Sequence, residues 1–409
     1  MSLPTTSVIV VSWQRPDALV LCVQSLARQR LAPAYEIIVV ADAAGRAALA
    51  RLPDAAMIKL VACDQPNISA ARNLGLAVAA GRVVAFIDDD AQAEPRWLSH
   101  LVAPFAQGDL ACTGGYVRGR NGISFQWTSR SIDSTGTAHP APLHGQQPGR
   151  PALPPGHALK TEGTNMAVRR DVLALLGGFD EAYHYYLDET DLNWRLHLGG
   201  YQTQLVPLAQ VVHGFAPAAH RGADRRIASL VQIGASQAVF LRRHHPKHGQ
   251  GAALQAAAQH QKHRVLAQMV DGRLCASDVG GLLRGYHLGV AQGMARALPH
   301  LAPLPDQPAL PFRPFPSRAT GGVTWLAGRP WQRRALIGRA ASLAKSGESV
   351  CAFCLGPSSL FHHMRFHPDG FWLQTGGLWG RSQRDSALVQ FWRFSQRIEA
   401  ERLRIEPLK

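Results

Sequence analysis

No apolar run in this 409-residue chain reaches the roughly 20 residues that a bilayer-spanning helix needs, so any work at a membrane is expected at its surface. No secretory leader is expected either: residues 7–13 (SVIVVSW) are too short for one and run into a polar turn. Cysteine is scarce and unpatterned. The six, at positions 22, 63, 112, 275, 351 and 354, give no disulfide framework, which favours a reducing, cytoplasmic setting, peripheral at the inner face of a membrane if at a membrane at all. Cys351 and Cys354 form a lone CxxC within VCAFC, whose alternation reads as a half-buried strand; core cysteines are expected there rather than a metal or redox pair. Aromatic residues make up only 7% and no nucleic-acid-binding module is visible, which argues against nucleic acid as a partner. No internal repeat is evident.

What the chain does contain suits a folded protein of two or three domains, with 46% hydrophobic and 17% charged residues. The net charge of +15 is unevenly placed. Through residue 216 there are 17 Lys+Arg against 18 Asp+Glu, and beyond it 26 against 10, so the whole positive excess lies in the second part. A helix expected over 224–244 carries Arg225, Arg226, Arg242 and Arg243. It could meet an anionic membrane surface, although packing on the rest of the protein is the preferred reading.

Residues 7–12 (SVIVVS), 36–40 (EIIVV) and 83–87 (VVAFI) are short β-branched runs separated by helical patterns at 15–30 and 68–80. Such alternation predicts an α/β fold with a mostly parallel sheet, whose ligands sit beyond the carboxyl ends of the strands. Residues 12–15, Asp42 and the triplet Asp88-Asp89-Asp90 all fall there. Residues 139–157 hold six prolines and read as a loop, with a lid as the expected use. Helices are expected from Asp171 to Gly177-Gly178, from Asp188 to Gly199-Gly200, and through the stretch ending near Leu298. Residues 299–316 carry seven prolines and read as a linker.

Three like charges at the end of a buried strand repel one another unless a cation compensates. Mg²⁺ and Mn²⁺ prefer carboxylate oxygens, and Asp88-x-Asp90 allows two side chains to face one way off an extended segment. An acidic turn capping the next helix would explain the triplet equally well if it stood alone. It is accompanied by NISAARNLG (67–75), EGTNMAVRR (162–170), GGFDEAYHYYLDETDLNWR (177–195) and the run ending at His213.

With this ordered set, residues 5–215 resemble the family 2 glycosyltransferases, enzymes of the GT-A fold. The resemblance implies a GT-A domain over 1–216, followed by a helical extension over 217–298, a linker over 299–317 and a small α/β accessory domain over 318–409. It places Ser12, Arg15, Asp42, Arg72, Asp88 and Asp89 on the nucleotide-sugar donor, and Asp90 with His213 on a Mn²⁺ or Mg²⁺ ion. Gly163, Thr164, Asn165, Trp194 and Arg195 are expected on the acceptor side. The family's Glu-Asp-x-Asp-Leu stands here as Asp188-Glu189-Thr190-Asp191-Leu192, so Glu189 takes the position of the catalytic base and Asp191 is the second candidate; a carboxylate there would accept the proton of the attacking hydroxyl. The usual Asp directly after the second strand is displaced to Asp42. Glycines 321 and 322, with 335–343 and 349–354, resemble the opening of a GT-B N-terminal half, too short for a complete enzyme of that kind.

The implied activity is inverting, metal-dependent transfer from a nucleotide-diphosphate sugar to a saccharide or lipid-linked saccharide acceptor, in cell-surface polysaccharide or glycolipid synthesis. Glu189 in place of the usual Asp keeps open a non-catalytic nucleotide-sugar-binding or assembly protein. A nucleotidyltransferase would need a glycine-rich triphosphate loop after the first strand, and SWQRPDAL is not one.

Overall fold

The computed structural model describes residues 3–30, 34–214, 216–217, 220–222, 224–316, 322–383 and 386–405; Gly321 and the expected boundary at 317/318 lie outside them. The β-branched runs form strands as expected. β1 (Thr6–Ser12) and β2 (Tyr35–Ala41) are joined by α1 (Pro16–Leu26), whose first turn opens on a proline. α2 (Ala43–Leu49), β3 (Lys59–Ala62), α3 (Ile68–Val78) and β4 (Val83–Asp88) complete the first half. Asn67 caps α3 by accepting from the amides of Ser69 and Ala70 at 3.1 Å each, an arrangement worth about 1 kcal/mol.

After β4 come β5 (Ala91–Ala93), α4 (Trp97–Val102), β6 (Leu110–Arg118), β7 (Phe125–Trp127), β8 (Arg130–Ile132), β9 (Ala138–Pro140), β10 (Ala158–Lys160), β11 (Met166–Arg169), α5 (Arg170–Leu175), α6 (Asp188–Leu198) and β12 (Gln202–His213). The main sheet runs β3-β2-β1-β4-β11-β6-β12-β5, with β7 on the side of β6. It is parallel from β3 to β4 and between β6 and β12, while β11 and β5 run antiparallel. Alternate residues of the central strands feed separate cores on its two faces, one beneath α1 and α4, the other beneath α3 and α6. The parallel order brings the ends of β1, β2 and β4 side by side, and β5 pairs His213 of β12 with Ala91, one residue past the aspartates.

β8, β9 and β10 form a separate three-stranded sheet. The expected lid is tied down. Gly149 exchanges main-chain bonds of 2.9 and 2.8 Å with Leu205, and Leu143 and Leu153 pack on a cluster around Tyr116.

The basic helix is shorter than its pattern predicts: α7 spans Val231–His244, because Arg225 adopts a left-handed conformation and Arg221 bridges Ile227 in a tight reversal. α8 (Gln250–Val270) and α9 (Ala276–Ala295) follow. α7 and α9 cross with main chains nearly touching: a methyl group on Gly289 would overlap the Val231 carbonyl, and one on Gly293 the Ala235 carbonyl. The arginines of α7 are used internally. Arg242 donates to the carbonyls of Gly293 and Arg296 at 2.7 Å, and Arg243 pairs with Asp180 at 2.9 Å.

The proline-rich segment after α9 is not a free linker. Leu304, Ala309 and Phe315 donate main-chain bonds of 2.8, 2.8 and 2.7 Å to Ala174, Ala77 and Tyr35. Phe315 is buried, its ring 5.9 Å from that of Tyr35. Between prolines held extended, the remaining amides point outward and find carbonyls on the sheet domain.

The last part is a small α/β unit. β13 (Val323–Gly328), α10 (Arg333–Lys345), β14 (Ser349–Gly356), β15 (His363–His367), β16 (Phe371–Gly377) and α11 (Phe394–Ile405) form a sheet of order β13-β14-β16-β15, parallel except for β15. Cys351 and Cys354, three apart on β14, are buried in different clusters. A buried polar knot fastens α11: Glu401 accepts from Arg397 at 2.9 Å, from Arg404 at 3.0 Å and from Gln374 at 2.8 Å.

Candidate active site

The three aspartates are unequal. Asp88 ends β4 about one-third exposed, whereas Asp89 and Asp90 are buried. Asp89 is a bracket. It accepts from the Ser12 hydroxyl at 2.6 Å and pairs with Arg15 at 2.7 Å, tying the end of β1 and the start of α1 to the turn. Burial raises its carboxyl, and the Arg15 guanidinium opposes that rise. The Ser12 hydroxyl, expected on the donor, is thus engaged inside the protein. Asp42 caps α2 through the amide of Gly45 at 2.8 Å and accepts from the amide of Gln14 at 2.9 Å.

Asp90 faces His213. Its Oδ1 lies 3.1 Å from the imidazole Nε2, and its Oδ2 accepts from the amide of Ala216 at 2.7 Å. Burial works against ionisation of Asp90, but the imidazole and these bonds prevail and hold its carboxyl well below the usual range. The other imidazole nitrogen, Nδ1, lies 3.2 Å from the side-chain oxygen Oε1 of Gln126. With an ion in place of the Nε2 proton that faces Asp90, donation there would present the Nε2 lone pair to the ion, as a metal ligand requires. Asp88, Asp90 and His213 each bring one ligand atom to within 4.8 Å of the others, a donor set of two carboxylates and an imidazole that fits a divalent cation.

Arg72 of α3 joins this centre to the acidic helix. It pairs with Asp188, lies 3.3 Å from Asp88 and donates to the Gly163 carbonyl at 3.2 Å. A side chain on Gly163 would collide with the guanidinium. Of the acids opening α6, Asp188 and Asp191 are nearly inaccessible and Glu189 is 17% exposed. Asp191 is held by Arg195 at 2.7 Å and His244 at 2.7 Å. Glu189 accepts from the Lys160 ammonium at 2.7 Å. Burial opposes its charge, yet Lys160 outweighs it and keeps the carboxyl at about 2.

Residues 7–176 match the family model described as glycosyl transferase family 2. The chain carries a glycosyl transferase family 2 domain. Two similar proteins extend past the matched region of this domain. One is the O-antigen biosynthesis protein RfbC of Myxococcus xanthus, 27% identical over 239 residues, 56% of this chain and 18% of that protein. The other is the glycosyltransferase YwdF of Bacillus subtilis, 27% identical over 254 residues, 60% of this chain and 84% of that protein. The pre-mycofactocin glycosyltransferase of Mycobacterium tuberculosis is 30% identical over 150 residues, 36% of this chain and 29% of that protein. The chain thus spans less than a third of the length of RfbC and of the mycofactocin enzyme. Among solved structures, a mannosyltransferase from Pyrobaculum calidifontis in complex with GDP-Man and Mn2+ aligns with a TM-score of 0.44 at 15% identity, over 72% of this chain and 88% of that one.

The expected donor and metal residues Arg15, Arg72, Asp88 and Asp90, inside the matched region, and His213, beyond it, gather at one place. Several expected acceptor contacts do not. Asn165 is fully buried: its amide nitrogen donates to Tyr116 and Ala209 at 2.9 Å each and its oxygen accepts from Trp97 at 2.7 Å, so it fastens β6, β12 and α4. Arg195 donates to the carbonyls of Leu176 and Gly178 at 2.9 Å, and Trp194 packs in a cluster with Tyr183 and Phe240. Thr164, next to Asn165 in sequence, is buried as well. Lys160 escaped sequence reasoning. Its only signal is a place just before EGTN, and nothing in the pattern pairs it with a carboxylate 29 residues on. Near the centre the rings of Tyr185 and His220 lie 3.7 Å apart at a tilt of 31°, and burial lowers His220 to about 4. Among the described residues, no helix is long and apolar enough to cross a membrane.

Proposed function

We propose that the chain transfers a glycosyl group from a nucleotide-diphosphate sugar to a hydroxyl of a saccharide or lipid-linked saccharide, with inversion, in the assembly of a cell-surface polysaccharide or glycolipid. The observation that carries this reading is the Asp88–Asp90–His213 group at the carboxyl ends of the strands. Mn²⁺ or Mg²⁺ is the ion this donor set would hold, and when bound it would neutralise charge developing on the departing nucleoside diphosphate. Asp88, the exposed member, lies toward the nucleoside, and Arg15 and Arg72 supply positive charge on either side.

Glu189 is the base. Of the three acids it is the accessible one, and Lys160 keeps it ionised. As the acceptor oxygen bonds to the anomeric carbon, its proton passes to Glu189 and the bond to the phosphate oxygen breaks with its electron pair. Attack opposite the leaving group inverts the centre. The name of the O-antigen relative supports the cell-surface part of the reading. Transfer belongs to residues 1–216, with 217–298 as a helical extension, 299–317 as the connection and 318–409 as an accessory domain.

One observation favours a second reading: an acid held this firmly by Lys160 is a weak base, which suits a protein that binds a nucleotide sugar without transferring it. Thermal midpoints and nucleoside diphosphate release, measured with UDP-, dTDP- and GDP-sugars with and without Mn²⁺, separate the two. The transferase reading expects one donor to stabilise the protein only with metal and to be hydrolysed. Stabilisation without hydrolysis or transfer supports the binding role, and no stabilisation by any donor overturns both.

A further inference from the structure

The parallel strands of the small C-terminal unit end at Gly328, Gly356 and Gly377. The loops leaving those ends carry an unusual surface. Trp331 is 74% exposed, Leu360 70%, Phe361 53%, Leu388 62% and Phe391 88%. Single exposed apolar residues are ordinary on a protein surface, whereas a contiguous group marks a contact. These residues are held together by the fold. Val389 bridges Gly380, the amide of Gln390 donates to the Trp379 carbonyl at 3.0 Å, and that of Trp379 donates to Ser358 at 3.1 Å. The rings of Trp379 and Phe391 lie 6.1 Å apart, and Arg381 covers Phe361 at 4.7 Å. Pro330, beside Trp331, sits against Gly356.

Among the described residues, charge at this edge has one sign, and the sequence of its last loop adds one pair of opposite charges, Arg384 and Asp385. The edge's described residues include Arg329, Arg333, Arg334, Arg381 and Arg393, and no Asp or Glu occurs at 328–335, 356–362, 376–383 or 386–394. Acids sit at the other end of the same sheet, where Glu348 precedes β14 and Asp369 precedes β16. We propose that this edge docks on an anionic lipid bilayer, with the Trp, Leu and Phe tips at the headgroup boundary and the arginines on lipid phosphates. Aliphatic tips such as Leu360 and Leu388 suit an acyl boundary and have no face on which nucleobases stack. The surface is separate from the Asp88–Asp90–His213 centre, so the proposal stands or falls independently of glycosyl transfer.

The test is flotation of the full chain with vesicles of phosphatidylcholine alone or mixed equally with phosphatidylglycerol, at low and high salt. The expected result is flotation with the mixed vesicles, weakened by salt. Leu360→Asp with Phe391→Asp should lower the bound fraction roughly tenfold or more, and Phe391→Leu should retain it. Both are surface changes, checked by an unchanged thermal midpoint. Wild-type protein that fails to float with the mixed vesicles overturns the proposal. So does a double variant that floats like wild type, or a wild-type dimer that the double variant splits while neither binds vesicles.

Discussion

The Lys160 ammonium lies 2.7 Å from Oε1 of Glu189 and 2.9 Å from the hydroxyl of Thr190; Lys160 and Thr190 are buried, and Glu189 keeps 17% of its side chain exposed. The charged pair joins β10 of the small sheet to the first turn of α6. Arg72, Asp188, Glu162, Arg130 and the phenol of Tyr186 also face this pair.

Removing the ammonium should change a pH profile before it changes a fold. With Lys160 present, Glu189 titrates at about 2, so transfer should show no loss from this group down to mildly acid pH. In Lys160→Met, burial remains without its main counterweight, and the Glu189 pKa should rise above the 4.5 of an ordinary glutamate. Activity should then fall as pH drops through the raised value, while Lys160→Arg keeps the wild-type limb. Glu189→Gln should lower kcat by about 10²–10⁴-fold at every pH.

Asp90 and Asp89 should separate metal binding from architecture. Asp90→Ala is expected to abolish stabilisation by Mn²⁺ and donor together. Asp89→Ala instead leaves Ser12 and Arg15 without their partner, and because Arg15 is partly exposed the loss should be about 2 kcal/mol in urea unfolding. A metal response in Asp90→Ala equal to wild type would count against the metal assignment.

The knot at Glu401 should be visible on acidification. Burial opposes its ionisation, but Arg404 and its hydrogen bonds hold the carboxyl at about 2, against 4.5 unperturbed. A depressed carboxyl stabilises the fold above the unfolded value and loses that contribution as protons bind. Urea midpoints should therefore fall between pH 4.5 and about 2. Glu401→Gln should start lower at neutral pH, by about 2–3 kcal/mol, and show a flatter acid limb.

Two glycines of α9 should respond in opposite directions to the same change. Gly289→Ala drives a methyl into the Val231 carbonyl and should destabilise by about 3 kcal/mol or more. Gly281→Ala meets only the end of the Arg284 side chain, 4.0 Å away, and should stabilise by about 0.5–1 kcal/mol. Thermal midpoints of the two variants check both signs.

The parts of the fold that could be read from the sequence are those where a local pattern suffices. The β-branched runs at 7–12, 36–40 and 83–87 became β1, β2 and β4, and AFIDDD announced a loaded strand end. Less visible was anything settled by distant partners. Asp89 reads like its neighbours until Ser12 and Arg15 arrive from 74 to 77 residues away. Asn165, inside a tell-tale GTN, turns inward because two strands and a helix converge on its amide. The stretch before α7 had helical composition, but a left-handed Arg225 reverses the chain.

The bonds from Leu304, Ala309 and Phe315 bear on where this protein can be cut. A fragment ending near 216, where the family pattern stops, would leave Tyr35 with no Phe315 against its ring and the carbonyls of Ala77 and Ala174 open to solvent. The unit of chemistry and the unit of folding therefore have different ends, and a self-sufficient catalytic fragment has to run on through residue 316.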